Sequence, residues 1–65
     1  MVDEYHLVQM VRKIRLLRKS AEELKDLSGG IEAVDKNVDR ILASVRMLEI
    51  NVSDAADLVD KEKVR

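Results

Sequence analysis

Five basic residues lie close together in the first third of the chain, in a stretch without acidic residues from Tyr5 to Ala21. Lysine and arginine at this density can bind phosphate groups, with an affinity that falls steeply as salt is added. If the chain folds back on itself, two arginines from its second half lie level with these five residues along the length of the molecule. Together these residues form a basic belt: Arg12, Lys13, Arg15, Arg18, Lys19, Arg40 and Arg46. No aromatic residues are interleaved to stack bases, so an ordinary solvated helix face is the stronger interpretation and nucleic-acid binding the alternative.

Catalytic and metal-binding chemistry have little support in this sequence. The chain has no cysteine and a single histidine, His6, which argues against a thiolate or histidine-rich metal site. His6 also has no serine or cysteine nucleophile nearby. Carboxylates crowd around a glycine pair at 29–30, but a solvated cluster lacks the sheltered pocket that two-carboxylate catalysis needs. We therefore expect no enzyme activity, no cofactor and no metal.

The strongest pattern in the sequence is a repeat of apolar residues in alternating steps of three and four positions. Such a repeat predicts helices that pack along an apolar seam. The first seam consists of Leu7, Met10, Ile14, Leu17, Ala21 and Leu24. The second consists of Ile31, Val34, Val38, Ile41, Val45, Leu48, Val52, Ala55 and Val59. The absence of proline, phenylalanine and tryptophan, with 38% charged residues, is typical of an all-α protein.

Gly29 and Gly30 lie between the two seams, and each would cost a helix interior about 1 kcal/mol relative to alanine. The apolar repeat also changes phase there, because the first register would place Asp35 and Glu49 on the seam. A reversal of direction explains both observations. We predict one antiparallel, coiled-coil-like helical hairpin over residues 1–65, with helix 1 at about 3–28, a turn at 29–30 and helix 2 at about 31–63. The alternatives are one continuous helix with a stammer, or a third helix that begins near Ser53.

The core of a 65-residue chain offsets chain entropy only marginally, and a chain this short usually needs a staple or a partner. Apolar residues beside each seam widen the apolar faces, which suits a bundle of more than two helices. We therefore predict a homodimer of hairpins that forms a four-helix bundle. This plan resembles that of the Rop type of small plasmid regulator, a short helical hairpin that also dimerises. The β-branched residues at alternate seam positions of helix 2 favour a competing assembly, a parallel coiled coil.

Four further apolar residues lie away from the seams and at similar height in the folded-back chain: Tyr5, Val8, Met47 and Ile50. They either complete the dimer core or form a docking patch for another protein.

The first residues are acidic, unlike a secretory signal, and no apolar run approaches the roughly 20 residues of a membrane span. We expect a cytoplasmic chain without a membrane partner. The sequence thus predicts a small non-enzymatic interaction or assembly module that acts through self-association and a helix face. A small nucleic-acid-binding regulator is the alternative function.

Overall fold

The structure is a computed structural model that describes residues 3–63, with side chains as far as Leu58. The chain forms two long α-helices, α1 (Glu4–Leu27) and α2 (Glu32–Lys63). They pack against each other as an antiparallel hairpin that measures 52 × 16 × 15 Å. The predicted all-α hairpin is confirmed, and each helix begins within one residue of the predicted position.

The first helix begins at Glu4 because Asp3 caps it. Asp3 has an extended backbone, and its carboxylate accepts a hydrogen bond of 2.9 Å from the backbone N–H of His6. Aspartate is among the best N-cap residues because it satisfies an N–H group that has no partner inside the helix. The same hydrogen bond lowers the pKa of Asp3.

The chain reverses at Gly29 and Gly30, which have φ angles of +62° and +90°. These left-handed conformations are available to glycine at little cost. Ser28 joins the two helices across the turn: its hydroxyl accepts from the N–H of Gly30 at 3.3 Å and donates to the Asp35 carboxylate at 2.5 Å. Ser28 is also buried, so the turn is fixed by hydrogen bonds as well as by its glycines.

The second helix passes through residues 51–53 without a break, so no separate third helix begins near Ser53. A salt bridge of 2.9 Å joins Glu32 to Lys36 within its first turns. With 32 residues against 24 in α1, α2 is longer by about 12 Å at 1.5 Å per residue. The side chain of Val59, the last residue of the predicted seam, lies outside the described part.

The core of the hairpin is a single narrow stripe. Its residues on α1 are seven positions apart, and those on α2 follow the same step. Among the described side chains, the buried hydrophobic residues are Leu7, Ile14, Ala21, Val38 and Val45. Ser28 occupies the next seven-residue step of α1. Thus every second residue of the first predicted seam is buried, whereas on the second seam only Val38 and Val45 are. Ile31 is 59% exposed and Val52 is half-buried.

Candidate interaction surfaces

The buried stripe divides the hairpin into two sides. Residues three and four positions after a buried residue lie on opposite sides of the stripe, because successive residues are about 100° apart around a helix. Met10 and Leu48 line a groove on one side, and Val11 and Glu49 line a groove on the other. Ile14 contributes to both grooves and therefore marks the boundary between the two sides.

We call the side with Val11 the sealed flank, because ion pairs close it. Arg18 donates two hydrogen bonds to the Glu49 carboxylate, from Nε at 3.0 Å and from Nη2 at 2.8 Å. Nearer the turn, Lys25 Nζ donates to Asp39 Oδ1 at 2.7 Å. The hydrogen bonds from Arg18 lower the pKa of Glu49, with a smaller contribution from the charge of Arg46. Bidentate arginine–carboxylate pairs have a defined geometry, so this flank fixes how the two helices face each other.

We call the opposite side the open face, because its aliphatic side chains have no protein partner above them. These residues occur three positions after a member of the seven-residue repeat on each helix. The open face consists of Met10, Leu17, Leu24, Val34, Ile41 and Leu48. Four of them remain 41–49% exposed and the other two are half-buried, whereas Val38 beside them is 1% exposed. The open face is thus a regular row of partly exposed aliphatic side chains along both helices.

The sequence pattern predicts that the open-face residues pack between the two helices, because they belong to the two apolar seams. In the structure they lie beside the core instead. Folding back at Gly29 and Gly30 predicts that Met10 lies near Leu48 and Leu7 near Val52, and each of these pairs does line a common groove. The signal that separates the sides is the position of two charges. Arg18 and Glu49 both lie four positions after a member of the repeat, and their pairing is consistent with a rotation of the helices that leaves the open face uncovered.

A border strip of mostly uncharged residues runs along the open face. Its members lie three positions after each open-face residue: Lys13, Ser20, Leu27, Asn37, Ser44 and Asn51. Only one of the six is charged, compared with 38% of the whole chain. Charged residues are depleted at the centres of protein interfaces. The composition of the border strip is therefore that of a surface suited to contact with protein.

The four residues of the predicted docking patch are all exposed, between 43% and 67%. Tyr5 lies about 160° around α1 from the buried Leu7, and Met47 and Ile50 lie about 200° and 140° around α2 from Val45. They therefore occupy the outer faces of two different helices, while Val8 lines a groove on the sealed side. The structure does not bring the four together on one surface, and their docking role stays a prediction.

The basic belt wraps around α1 instead of occupying one face. Lys13 lines the groove on the open side, whereas Arg12 and Arg15 line one on the sealed side. Arg18 is engaged with Glu49. The remaining members, Lys19, Arg40 and Arg46, are exposed.

His6 helps to begin α1: its Nδ1 lies 2.9 Å from the Asp3 carboxylate, and its ring contacts the edge of Tyr5. Among the described residues, no three His, Cys, Asp or Glu side chains gather in a way that could hold a metal ion. None of the helices in that part of the chain is both long and apolar enough to cross a membrane.

Comparison with known proteins adds no relative to this description. The chain matches no protein-family model, no curated protein sequence and no solved structure.

Proposed function

We propose that this chain is a small non-enzymatic assembly module that dimerises through its open face into a four-helix bundle. The observation that supports the proposal is the asymmetry of the hairpin. One side is closed by the Arg18–Glu49 and Lys25–Asp39 ion pairs, while the other presents a regular row of aliphatic side chains to solvent. Contiguous apolar surfaces of this kind mark sites of protein association.

The small core gives the same conclusion on energetic grounds. Five hydrophobic residues are buried among the described side chains, and twelve large hydrophobic residues are exposed. A 65-residue chain buries little surface and is marginally stable without disulfides, metals or oligomerisation. The chain has no cysteine. Association is therefore the available source of further burial, and each half-exposed leucine or isoleucine that it covers contributes about 1 kcal/mol.

Two isoleucines on α2 allow a matched test. Ile41 lies in the open face and Ile50 on the outer face, and they are 44% and 43% exposed. The native chain should have a mass near twice 7.4 kDa by light scattering after size exclusion. Ile41→Glu should give a monomer, because a charge would be buried at the dimer interface. Ile50→Glu should remain dimeric with unchanged helicity.

Three results would contradict the proposal. A native chain that is monomeric at all concentrations would exclude self-association. If Ile41→Glu stays dimeric, the open face is not the association surface. If Ile50→Glu alone dissociates, the outer face of α2 is the association surface instead.

Nucleic-acid binding is the second candidate, supported by the exposed members of the basic belt on α1. Arg12, Lys13, Arg15 and Lys19 have no ion-pair partner among the described residues. The test uses a fluorescently labelled RNA duplex at low salt, with binding followed by anisotropy. Replacing Arg12, Arg15 and Lys19 by glutamate should abolish binding while the dimer and its helicity persist. A native chain that does not bind at low salt excludes this candidate.

A further inference from the structure

Two packings of the open face on a second copy are geometrically distinct. A two-fold axis perpendicular to the helices places the Gly29–Gly30 turns at opposite ends and sets α1 of one copy on α1 of the other. A two-fold axis parallel to the helices places both turns at the same end and sets α1 on α2. We propose, on the basis of the function proposed above, that a second copy of the chain covers the open face with its turn at the opposite end. We call this the opposite-end arrangement, and its two-fold axis passes through the layer of Leu17 and Ile41.

The open face is regular enough for such an axis. Its six residues form three layers: Met10 with Leu48, Leu17 with Ile41, and Leu24 with Val34. The layers are seven residues apart on each helix, so a two-fold axis through the middle layer places each outer layer on the other outer layer of the second copy. Every apolar layer then meets an apolar layer, as an isologous dimer requires.

The outer edge of α1 distinguishes the two arrangements. Lys13 and Ser20 belong to the border strip, and Leu16 and Glu23 lie further out on α1, at the same angle that Met47 has on α2. In chain order, Lys13 places a positive charge before Leu17 and Glu23 places a negative charge after it. In the opposite-end dimer, Lys13 comes within about 3 Å in height of Glu23 of the second copy. Leu16, which is 56% exposed in the hairpin, reaches its own counterpart near the axis.

The same-end arrangement leaves these groups unmatched. There the outer edge of α1 faces residues of α2 from the second copy at equal height. Lys13 would lie beside Ser44 and Met47, and Leu16 beside Arg40. Neither Lys13 nor Glu23 has an ion-pair partner among the described residues of the hairpin. Opposite ends also bring Arg40, one residue before Ile41, near Arg40 of the second copy, a like-charge contact that solvent screens because Arg40 is exposed. The two Lys13–Glu23 pairs and the Leu16 contact outweigh it and favour opposite ends.

The overlap of the two copies reaches the size of a small interface. Centred on Leu17, the two α1 helices overlap over about 30 Å, and the hairpin is 16 Å wide. Each copy therefore contributes about 500 Å², and the total of about 1,000 Å² is near the lower limit for a specific interface. A second copy placed in this way also covers the part of the border strip on α1. Only one of the six residues of the whole strip, Lys13, is charged. No larger partner is needed to cover the open face.

Cross-linking of cysteine variants tests the arrangement, and the absence of native cysteine makes each introduced thiol unique. His6 and Leu27 lie on the outer edge of α1, eleven residues before and ten residues after Leu17. Both are exposed, so His6→Cys and Leu27→Cys should fold. Mixed in equal amounts, refolded together and treated with a short bis-maleimide, they should give the mixed His6→Cys/Leu27→Cys species as the main product. The matched control is a mixture of Leu27→Cys with Ala33→Cys, which should give little mixed product.

The results separate this proposal from the function it rests on. If Leu27→Cys links to Ala33→Cys and not to His6→Cys, the dimer has both turns at one end, and only the orientation is overturned. If neither mixture gives a mixed cross-link, although the native chain is dimeric and Ile41→Glu makes it monomeric, the orientation is also overturned. If the chain is monomeric before cross-linking, no second copy covers the open face. That result overturns both this proposal and the proposed function.

Discussion

Alanine at the two turn glycines should lower the stability of the chain. Gly29 and Gly30 have φ angles of +62° and +90°, a region that costs an L-residue about 1–2 kcal/mol. A Cβ at Gly29 would approach no atom closer than the Leu27 carbonyl oxygen at 4.0 Å, and one at Gly30 would meet nothing within 4 Å. The penalty is therefore conformational and not steric. Alanine also restricts the unfolded chain, which offsets about 0.4–1 kcal/mol, so the net loss should be about 1 kcal/mol per site.

The sign of this effect distinguishes the hairpin from one continuous helix. In a continuous helix each glycine would lie in the helix interior, and alanine would stabilise it by about 1 kcal/mol. For the double variant, the two structures therefore differ by about 4 kcal/mol in the free energy of unfolding. Urea titration followed by circular dichroism, at one fixed protein concentration, measures this difference.

A D-alanine at position 29, introduced by chemical synthesis, is the matched control because it prefers positive φ. It should raise the free energy of unfolding where L-alanine lowers it. Stabilisation by L-alanine at both sites would refute the turn. A single continuous helix of this length would have a radius of gyration of about 28 Å, compared with 15.2 Å for one hairpin, so scattering from the monomeric Ile41→Glu variant also distinguishes the two structures.

Three other substitutions probe the core, the sealed flank and the turn. Val45→Asp should cost about 3–5 kcal/mol and unfold the chain, because it buries an unpaired charge in the centre of the stripe; helicity reports the loss. Arg18→Gln should reduce the acid sensitivity of unfolding. The pKa of Glu49 is lowered in the fold, so its contribution is complete above the ordinary glutamate pKa and is lost as pH falls through the lowered value. Ser28→Ala should cost about 1 kcal/mol in urea titration, because the Asp35 carboxylate loses a partly buried donor.

Each of these substitutions has a result that would contradict its reasoning. Helicity unchanged by Val45→Asp would mean that the seven-residue stripe is not the core. If Arg18→Gln leaves the pH profile of unfolding unaltered, its hydrogen bonds to Glu49 do not form in solution. If Ser28→Ala unfolds at the same urea concentration as the native chain, the glycines alone define the turn.

The sequence predicted the hairpin because its local signals agree with one another. Gly29 and Gly30 break the helix, and the seam changes phase at the same place. Each of these signals acts over a few residues, so each can be recognised without knowledge of tertiary packing. The helix boundaries follow from them.

The division of each seam could not be predicted in the same way. Steps of three and four residues place Ile14 and Leu17 on one apolar face, and the repeat alone does not show which of them the second helix covers. That depends on the rotation of each helix about its axis. The long-range pair Arg18–Glu49 is consistent with the rotation observed, and nothing local in the sequence identifies these two residues as partners.

The sealed flank also limits how far the molecule can assemble. A hairpin with an apolar association surface on each side could add copies without limit and form a fibre, because each added copy would leave one such surface exposed. Here the ion pairs of Arg18 and Lys25 line one side, so in the proposed dimer the second copy would cover the regular aliphatic row that the described residues present. Under that proposal growth would stop at two copies, and assembly would be self-limiting.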